Sequence, residues 1–248
     1  MSGNVLLDTV TPALGAVVST AMYLSPMKAV LRASREKSLG ELNPLPFGVT
    51  IANCIAWLSY GLLKHDPFVT APNAAGVLIA VFMTLTAFGL ADEAARHKMR
   101  FVCCLTAGVM PLLGVFTAFG AKDSEMQKGV WGLAGNVICL IYYAAPLSTM
   151  WEVIRTRNSA SILVPLTMMN TMNAALWTTY GVAVLDVYIW LPNGIGLALS
   201  VLQVALRLVF PARTGMLPSH QHHSSGGGGT GKYSRLDETV GLGPPGTR

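Results

Sequence analysis

Seven apolar intervals of about 20 residues each follow one another along the chain, and they constrain the fold more than anything else in it. They run near Thr9–Val30, Pro44–Leu63, Val69–Leu90, Phe101–Gly120, Val130–Met150, Leu163–Leu185 and Val187–Leu206. An α-helix of 20 residues spans about 30 Å, the thickness of a bilayer's hydrocarbon core. One such interval suits a buried helix of a soluble protein equally well. Seven in a row, joined by short charged loops, do not, and a charged fraction of 12% with mean hydropathy of +0.50 fits the same conclusion. The expected fold is an all-α membrane protein with seven transmembrane helices.

A second pattern divides those helices into groups. Residues 53–76 and 173–196 match at a single offset of 120, with 8 identities in 24 ungapped positions. The matched pairs are Asn53/Asn173, Trp57/Trp177, Tyr60/Tyr180, Gly61/Gly181, Asp66/Asp186, Pro72/Pro192, Asn73/Asn193 and Gly76/Gly196, and Pro26/Pro146 falls on the same offset. Polar and aromatic residues carry the repeat, so shared greasiness does not explain it. The expected organisation is a 3-1-3 arrangement: a three-helix repeat over 5–91, a linker helix over 101–120 and a second three-helix repeat over 125–211. Four crossings separate equivalent points, so the two repeats run parallel and are related by an axis along the membrane normal. The Gly-, Ser- and Pro-rich stretch 212–248 reads as a disordered tail, and His220, His222 and His223 within it as a solvated run.

Lysine and arginine set the orientation. Alternating the loops puts 14 of the 17 on one side and only Lys64, Lys122 and Lys128 on the other. The side with 14 is expected to be cytoplasmic, together with the C-terminus, and the N-terminus extracellular. The net charge of +5 therefore reflects topology and gives no support to nucleic-acid binding. Cys54, Cys103, Cys104 and Cys139 all fall inside expected spans without disulfide or metal spacing. No cofactor or metal is expected. No constellation of nucleophile, base and orienting group occurs within the spans, so an enzyme is not expected either.

The chemistry is expected along the second and sixth helices. Asn53, Trp57 and Tyr60 are spaced i, i+4, i+7 and share one helical face, as do Asn173, Trp177 and Tyr180. Trp57 lies 11 residues beyond Pro46, about 16 Å of helix, which puts it near mid-membrane. Polar side chains at that depth face protein or a water-filled cavity. Plain interhelical packing explains one such stripe; two equivalent stripes favour a site. Asn73 and Asn193 each follow a proline and precede small residues. A carboxamide donates and accepts, which suits hydroxyl groups, while indole faces suit the C–H face of a sugar ring.

The stretches YLSPMKAV (23–30), LPFGVTIANCIAWLSYG (45–61), APNAAG (71–76), YYAAPLSTM (142–150), NAALWTTYG (173–181) and LPNGIG (191–196) resemble the SWEET family of sugar facilitators. The resemblance covers about residues 5–211. It implies bidirectional facilitative transport (uniport) of mono- or disaccharides by alternating access, most naturally in the plasma membrane. By motif it implies that Asn73 and Asn193 hydrogen-bond the sugar and that Trp57 and Trp177 sandwich it; Asn53 and Asn173, on the same stripes as the tryptophans, are candidates for that pocket. Tyr60 and Asp186 resemble an extracellular gate. Pro26, Pro46 and Pro146 match three of four hinge prolines at the cytoplasmic ends; the fourth position falls on Leu163, and this chain has Pro165 instead. The alternative class is a proton-coupled amino-acid exporter of the related PQ-loop type. A single chain carries both repeats and so a whole pathway, which leaves a homo-oligomer open.

Overall fold

In the computed structural model, which describes residues 4–212, seven long helices account for most of the described residues. They are α1 (Leu6–Glu36), α2 (Leu45–Lys64), α3 (Pro67–Leu90), α4 (Glu93–Gly120), α5 (Ser124–Thr156), α6 (Val164–Ala183) and α7 (Val187–Val209). The disordered-tail expectation for 212–248, with its three histidines, lies outside the described residues apart from Ala212.

Local chemistry punctuates the chain where the loops are. Asp66 and Asp186 accept hydrogen bonds from the first backbone N–H groups of α3 and α7, and Asp92 and Asp123 do the same for α4 and α5. A short polar side chain at the N-cap satisfies donors that the helix itself leaves open. The α2–α3 and α6–α7 connections are tight because His65 and Leu185 adopt left-handed conformations, with φ of 54° at both. Gly61 and Gly181 let each hairpin close: a Cβ at Gly61 would lie 2.9 Å from the Thr70 backbone nitrogen, and one at Gly181 2.6 Å from that of Trp190.

Packing then arranges six helices in a ring. α3 lies between α1 and α2, and α7 between α5 and α6, while the two triplets meet along α2–α5 and α1–α6. α4 stands outside the ring, mainly against α2. The outward faces carry large apolar side chains such as Leu78, Leu85, Leu112 and Phe119, the last 87% exposed. That surface is stable against hydrocarbon and would not be against water.

Helix bounds differ from the apolar intervals in an instructive way. α1 runs to Glu36 and α5 from Ser124 to Thr156, beyond the expected Val30 and Val130–Met150. The extra turns carry Arg32, Arg35, Glu36, Glu152 and Arg155, so they are helix that protrudes past the apolar layer. Six of the seven helices are long and apolar enough to qualify as spans by composition, and α6 is the exception. Its Thr167, Asn170 and Asn173 line the central cavity, which lowers its hydropathy without shortening it.

A central cavity sealed at one end

The cavity inside the ring has a volume of about 540 Å³, within the 300–1,000 Å³ range of small-molecule sites. Asn53, Asn173 and Asn193 line it, with Tyr142 and Tyr143 from α5. It extends past Pro146, Thr149, Leu163 and Gln203, toward the end of the ring that carries most of the arginines and lysines, called the basic end below.

The opposite end is latched by a reciprocal exchange between the two triplets. The Tyr60 hydroxyl on α2 donates to the Asp186 carboxylate of the second triplet, with oxygen distances of 2.8 and 2.7 Å. The Tyr180 hydroxyl on α6 donates to Asp66 of the first triplet at 2.7 Å. Each aspartate thus caps its own helix and receives a tyrosine from the other half. Lys64 adds an ion pair to Asp186 at 3.0 Å; the position offset by 120 from Lys64 is Val184, so this bond has no counterpart. Asp186 is only 4% exposed, and a charge so buried requires such partners.

One layer below sit the tryptophans. Trp57 and Trp177 are buried and stack edge-on to Tyr60 and Tyr180, with centroids 5.7 and 6.0 Å apart. Neither indole lines the cavity; each instead backs onto a glycine of the other triplet. A Cβ at Gly135 would lie 2.8 Å from Trp57 Cε2, and one at Gly15 3.1 Å from Trp177 Cε2. The Trp177 indole N–H donates to Ser19 Oγ at 2.9 Å, and Ser19 donates to Asn173 Oδ1 at 2.8 Å. Cys139, offset by 120 from Ser19, contacts Asn53 Oδ1 at a longer 3.8 Å.

The two proline-preceded asparagines differ. Each folds its amide back onto the carbonyl one turn earlier, Asn73 Nδ2 to Val69 O at 2.8 Å and Asn193 Nδ2 to Ile189 O at 2.7 Å. This fixes the side chain and turns its Oδ1 away from its own helix. The Asn73 Oδ1 accepts from the Tyr23 hydroxyl at 3.1 Å, and Asn73 is 7% exposed and outside the cavity lining. Tyr143, offset by 120 from Tyr23, donates to the Pro192 carbonyl instead, and Asn193 faces the cavity.

The structure divides the four prolines into two kinds. Pro26 breaks α1 between Thr11–Leu24 and Met27–Glu36, and Pro146 sits inside α5. Both interrupt a helical ladder, as a hinge requires. Pro46 and Pro165 occupy the first turns of α2 and α6, where the missing N–H would have had no partner anyway. The argument from a lost hydrogen bond therefore does not extend to those two.

The 120-residue offset is also the signal for what the motif reading passed over. Tyr180 and Asp66 complete the latch, Tyr23 holds Asn73 while Tyr143 bonds the Pro192 carbonyl, and Gly15 and Gly135 seat the indoles. Lys64 and Ser19 break the repeat and could not be found from it.

A six-helix ring of two like triplets around a cavity lined with asparagines, open toward one end and latched at the other, defines a multi-pass membrane transporter of the two-repeat class. The sequence model of a family described as sugar efflux transporters for intercellular exchange matches residues 11–91 and 130–215. The chain belongs to that family, the SWEET transporters. Similar curated proteins include the bidirectional sugar transporter SWEET7b of Oryza sativa subsp. indica, 26% identical over 209 residues (83% of this chain, 78% of that one). The sugar transporter SWEET1 of Drosophila pseudoobscura pseudoobscura is 29% identical over 202 residues (80% and 88%). A solved structure of a eukaryotic SWEET transporter superposes with a TM-score of 0.73 at 25% identity, covering 81% of this chain and 95% of that chain.

Proposed function

We propose that this chain is a bidirectional facilitator that moves a mono- or disaccharide down its gradient by alternating access. The names of its relatives support the substrate class. The single observation that carries the mechanism is the cavity at mid-ring, open toward the basic end while Tyr60–Asp186 and Tyr180–Asp66 close the other. A transporter in one half of its cycle has this shape.

In this reading Asn193, Asn173 and Asn53 present carboxamides to sugar hydroxyls, and Asn73 joins them when Tyr23 releases it. Trp57 and Trp177 flank the ring from behind the asparagines and swing toward it as the halves rock. The tyrosine–aspartate latch, with Lys64, is the extracellular gate, and the breaks at Pro26 and Pro146 let the basic ends close. Pro46 and Pro165 set where α2 and α6 begin. The membrane is the plasma membrane; the N-terminus is extracellular and the C-terminus cytoplasmic, an orientation supported by the 14-to-3 split of lysine and arginine. An amino-acid exporter is disfavoured because the cavity offers amides and hydroxyls to its ligand, and the carboxylates of the site are engaged in the latch. The experiment is radiotracer flux of a sugar panel into and out of proteoliposomes. Saturable flux of a sugar in both directions is the expected result, and amino-acid flux without sugar flux would refute the reading.

A further inference from the structure

A second cleft lies outside the ring, between α2 and α4, with a volume of about 520 Å³. Gly48, Ile55 and Ser59 form one wall, Trp131 of α5 contributes at its edge, and the α4 wall includes Cys103, Ala107, Met110 and Gly114. The lining is almost wholly apolar, so the cleft does not suit a sugar. It runs along the membrane-facing side of the molecule, where α4 packs mainly on α2, with Met99 buried against the first triplet at one end and Gln127 and Trp131 of α5 hydrogen-bonded to Thr117 at the other.

The α4 wall continues into charge. Arg96, Arg100, Cys103, Ala107, Met110 and Gly114 are spaced 4, 3, 4, 3 and 4 apart, which puts them on one helical face. Arg100 is exposed. The Arg96 guanidinium sits 5.9 Å from the Phe88 ring centre, and its Nε is buried without a hydrogen-bond partner among the described residues. Two carboxylates precede them on α4: Asp92 is engaged in capping Ala95, and Glu93 is exposed. Among the described residues neither forms an ion pair with Arg96, Lys98 or Arg100. A buried guanidinium N–H without an acceptor is costly, and its planar fork matches a phosphate.

Dimensions narrow the occupant further. From Cys103 to Gly114 the wall is roughly 16 Å long at 1.5 Å per residue, close to the ~15 Å depth of one leaflet's hydrocarbon. We propose that this cleft seats one anionic glycerophospholipid, its phosphate at Arg96 and Arg100 and one acyl chain along Cys103, Ala107 and Gly114. This seat is independent of the transported solute. It would fasten the middle of α4 to the first triplet, and in the proposed orientation it draws on the leaflet rich in anionic lipid.

Trp131 at the edge of the cleft is the reporter. The full chain is reconstituted in phosphatidylcholine vesicles containing a small mole fraction of either phosphatidylserine or phosphatidylcholine with brominated acyl chains. The quenching due to Trp131 is the difference between the wild type and Trp131→Phe. The expected result is that brominated phosphatidylserine occupies the cleft roughly 25-fold more readily, about fivefold for each of two arginines. Arg96→Gln with Arg100→Gln removes that preference, and Ala107→Phe reduces quenching by both lipids. Raising the salt concentration on the unaltered chain shrinks the preference without any substitution. Equal quenching by the two lipids, a preference that survives charge neutralisation and high salt, or no quenching of Trp131 would each overturn the assignment.

Discussion

The Tyr60 hydroxyl lies within 2.8 Å of both carboxylate oxygens of Asp186, although the two residues are 126 positions apart. Tyr180 and Asp66 repeat the bond in the opposite sense at 2.7 Å. One end of the pathway is therefore shut by two bonds that both cross between the triplets, and opening that end requires breaking both.

Tyr60→Phe is expected to shift the molecule toward the state open at the latched end. Hydrogen bonds to charged groups are worth about 1.5–3 kcal/mol, so the equilibrium should move tenfold or more. Tyrosine is the better probe, because Asp186 also caps α7 and its loss would confuse gating with folding. Cys139 lines the cavity and reports the change: with Cys54, Cys103 and Cys104 replaced, thiol modification from the basic end should slow in Tyr60→Phe.

Asn193→Ala is expected to abolish saturable sugar flux or raise its KM strongly. An unmatched hydroxyl in a desolvated site costs about 1–3 kcal/mol, a factor of roughly 5 to 150. Tyr23→Phe separates the two asparagines, since it frees the Asn73 Oδ1 that Tyr23 now occupies. It should lower KM if Asn73 must be released to bind sugar. Concentration-dependent flux measures both.

Pro26→Ala and Pro146→Ala are expected to slow transport more than they weaken equilibrium sugar binding, because they restore helical bonds at breaks away from the asparagines. Pro46→Ala and Pro165→Ala should leave the rate closer to that of the parent, since first-turn prolines displace no hydrogen bond. Comparing single-turnover flux with binding in the four variants distinguishes the two kinds.

Gly135→Ala is expected to destabilise the protein more than Gly15→Ala, because the added carbon meets Trp57 at 2.8 Å but Trp177 at 3.1 Å. Overpacking costs about 1–3 kcal/mol, which for a chain of this size lowers Tm by roughly 2–12 °C. Thermal unfolding in detergent, followed by tryptophan fluorescence, provides the comparison.

The helices could be read from the sequence because a bilayer demands long apolar runs, and the repeat because its shared residues are rare types. The Tyr60–Asp186 pair was legible through the family resemblance. Its mirror, Tyr180–Asp66, was written in the same repeat and needed only the offset applied twice. What could not be read was whichever contact breaks the pseudo-symmetry. Lys64 faces Asp186 while Val184 stands at the equivalent place, and the Ser19 hydroxyl bridges Trp177 and Asn173 at 2.9 and 2.8 Å where the Cys139 thiol, between Trp57 and Asn53, reaches Asn53 only at 3.8 Å. Nor does residue identity reveal that Tyr23 holds Asn73 while Tyr143 turns to the Pro192 backbone. The prolines show the same limit: sequence counts four, and only the helix starts show that two interrupt nothing.

Uncoupled transport is the central claim, and it rests on where the ionisable groups stand. Asp66 and Asp186 lie at helix N-termini in the latch, and asparagines occupy the cavity between. Proton-driven cycles use a membrane-embedded group that changes charge. The direct test loads proteoliposomes and bath with the same concentration of a labelled transported sugar, then imposes a pH gradient or a membrane potential. The account predicts exchange of label without net accumulation under either force, and uphill accumulation driven by the proton gradient would contradict it.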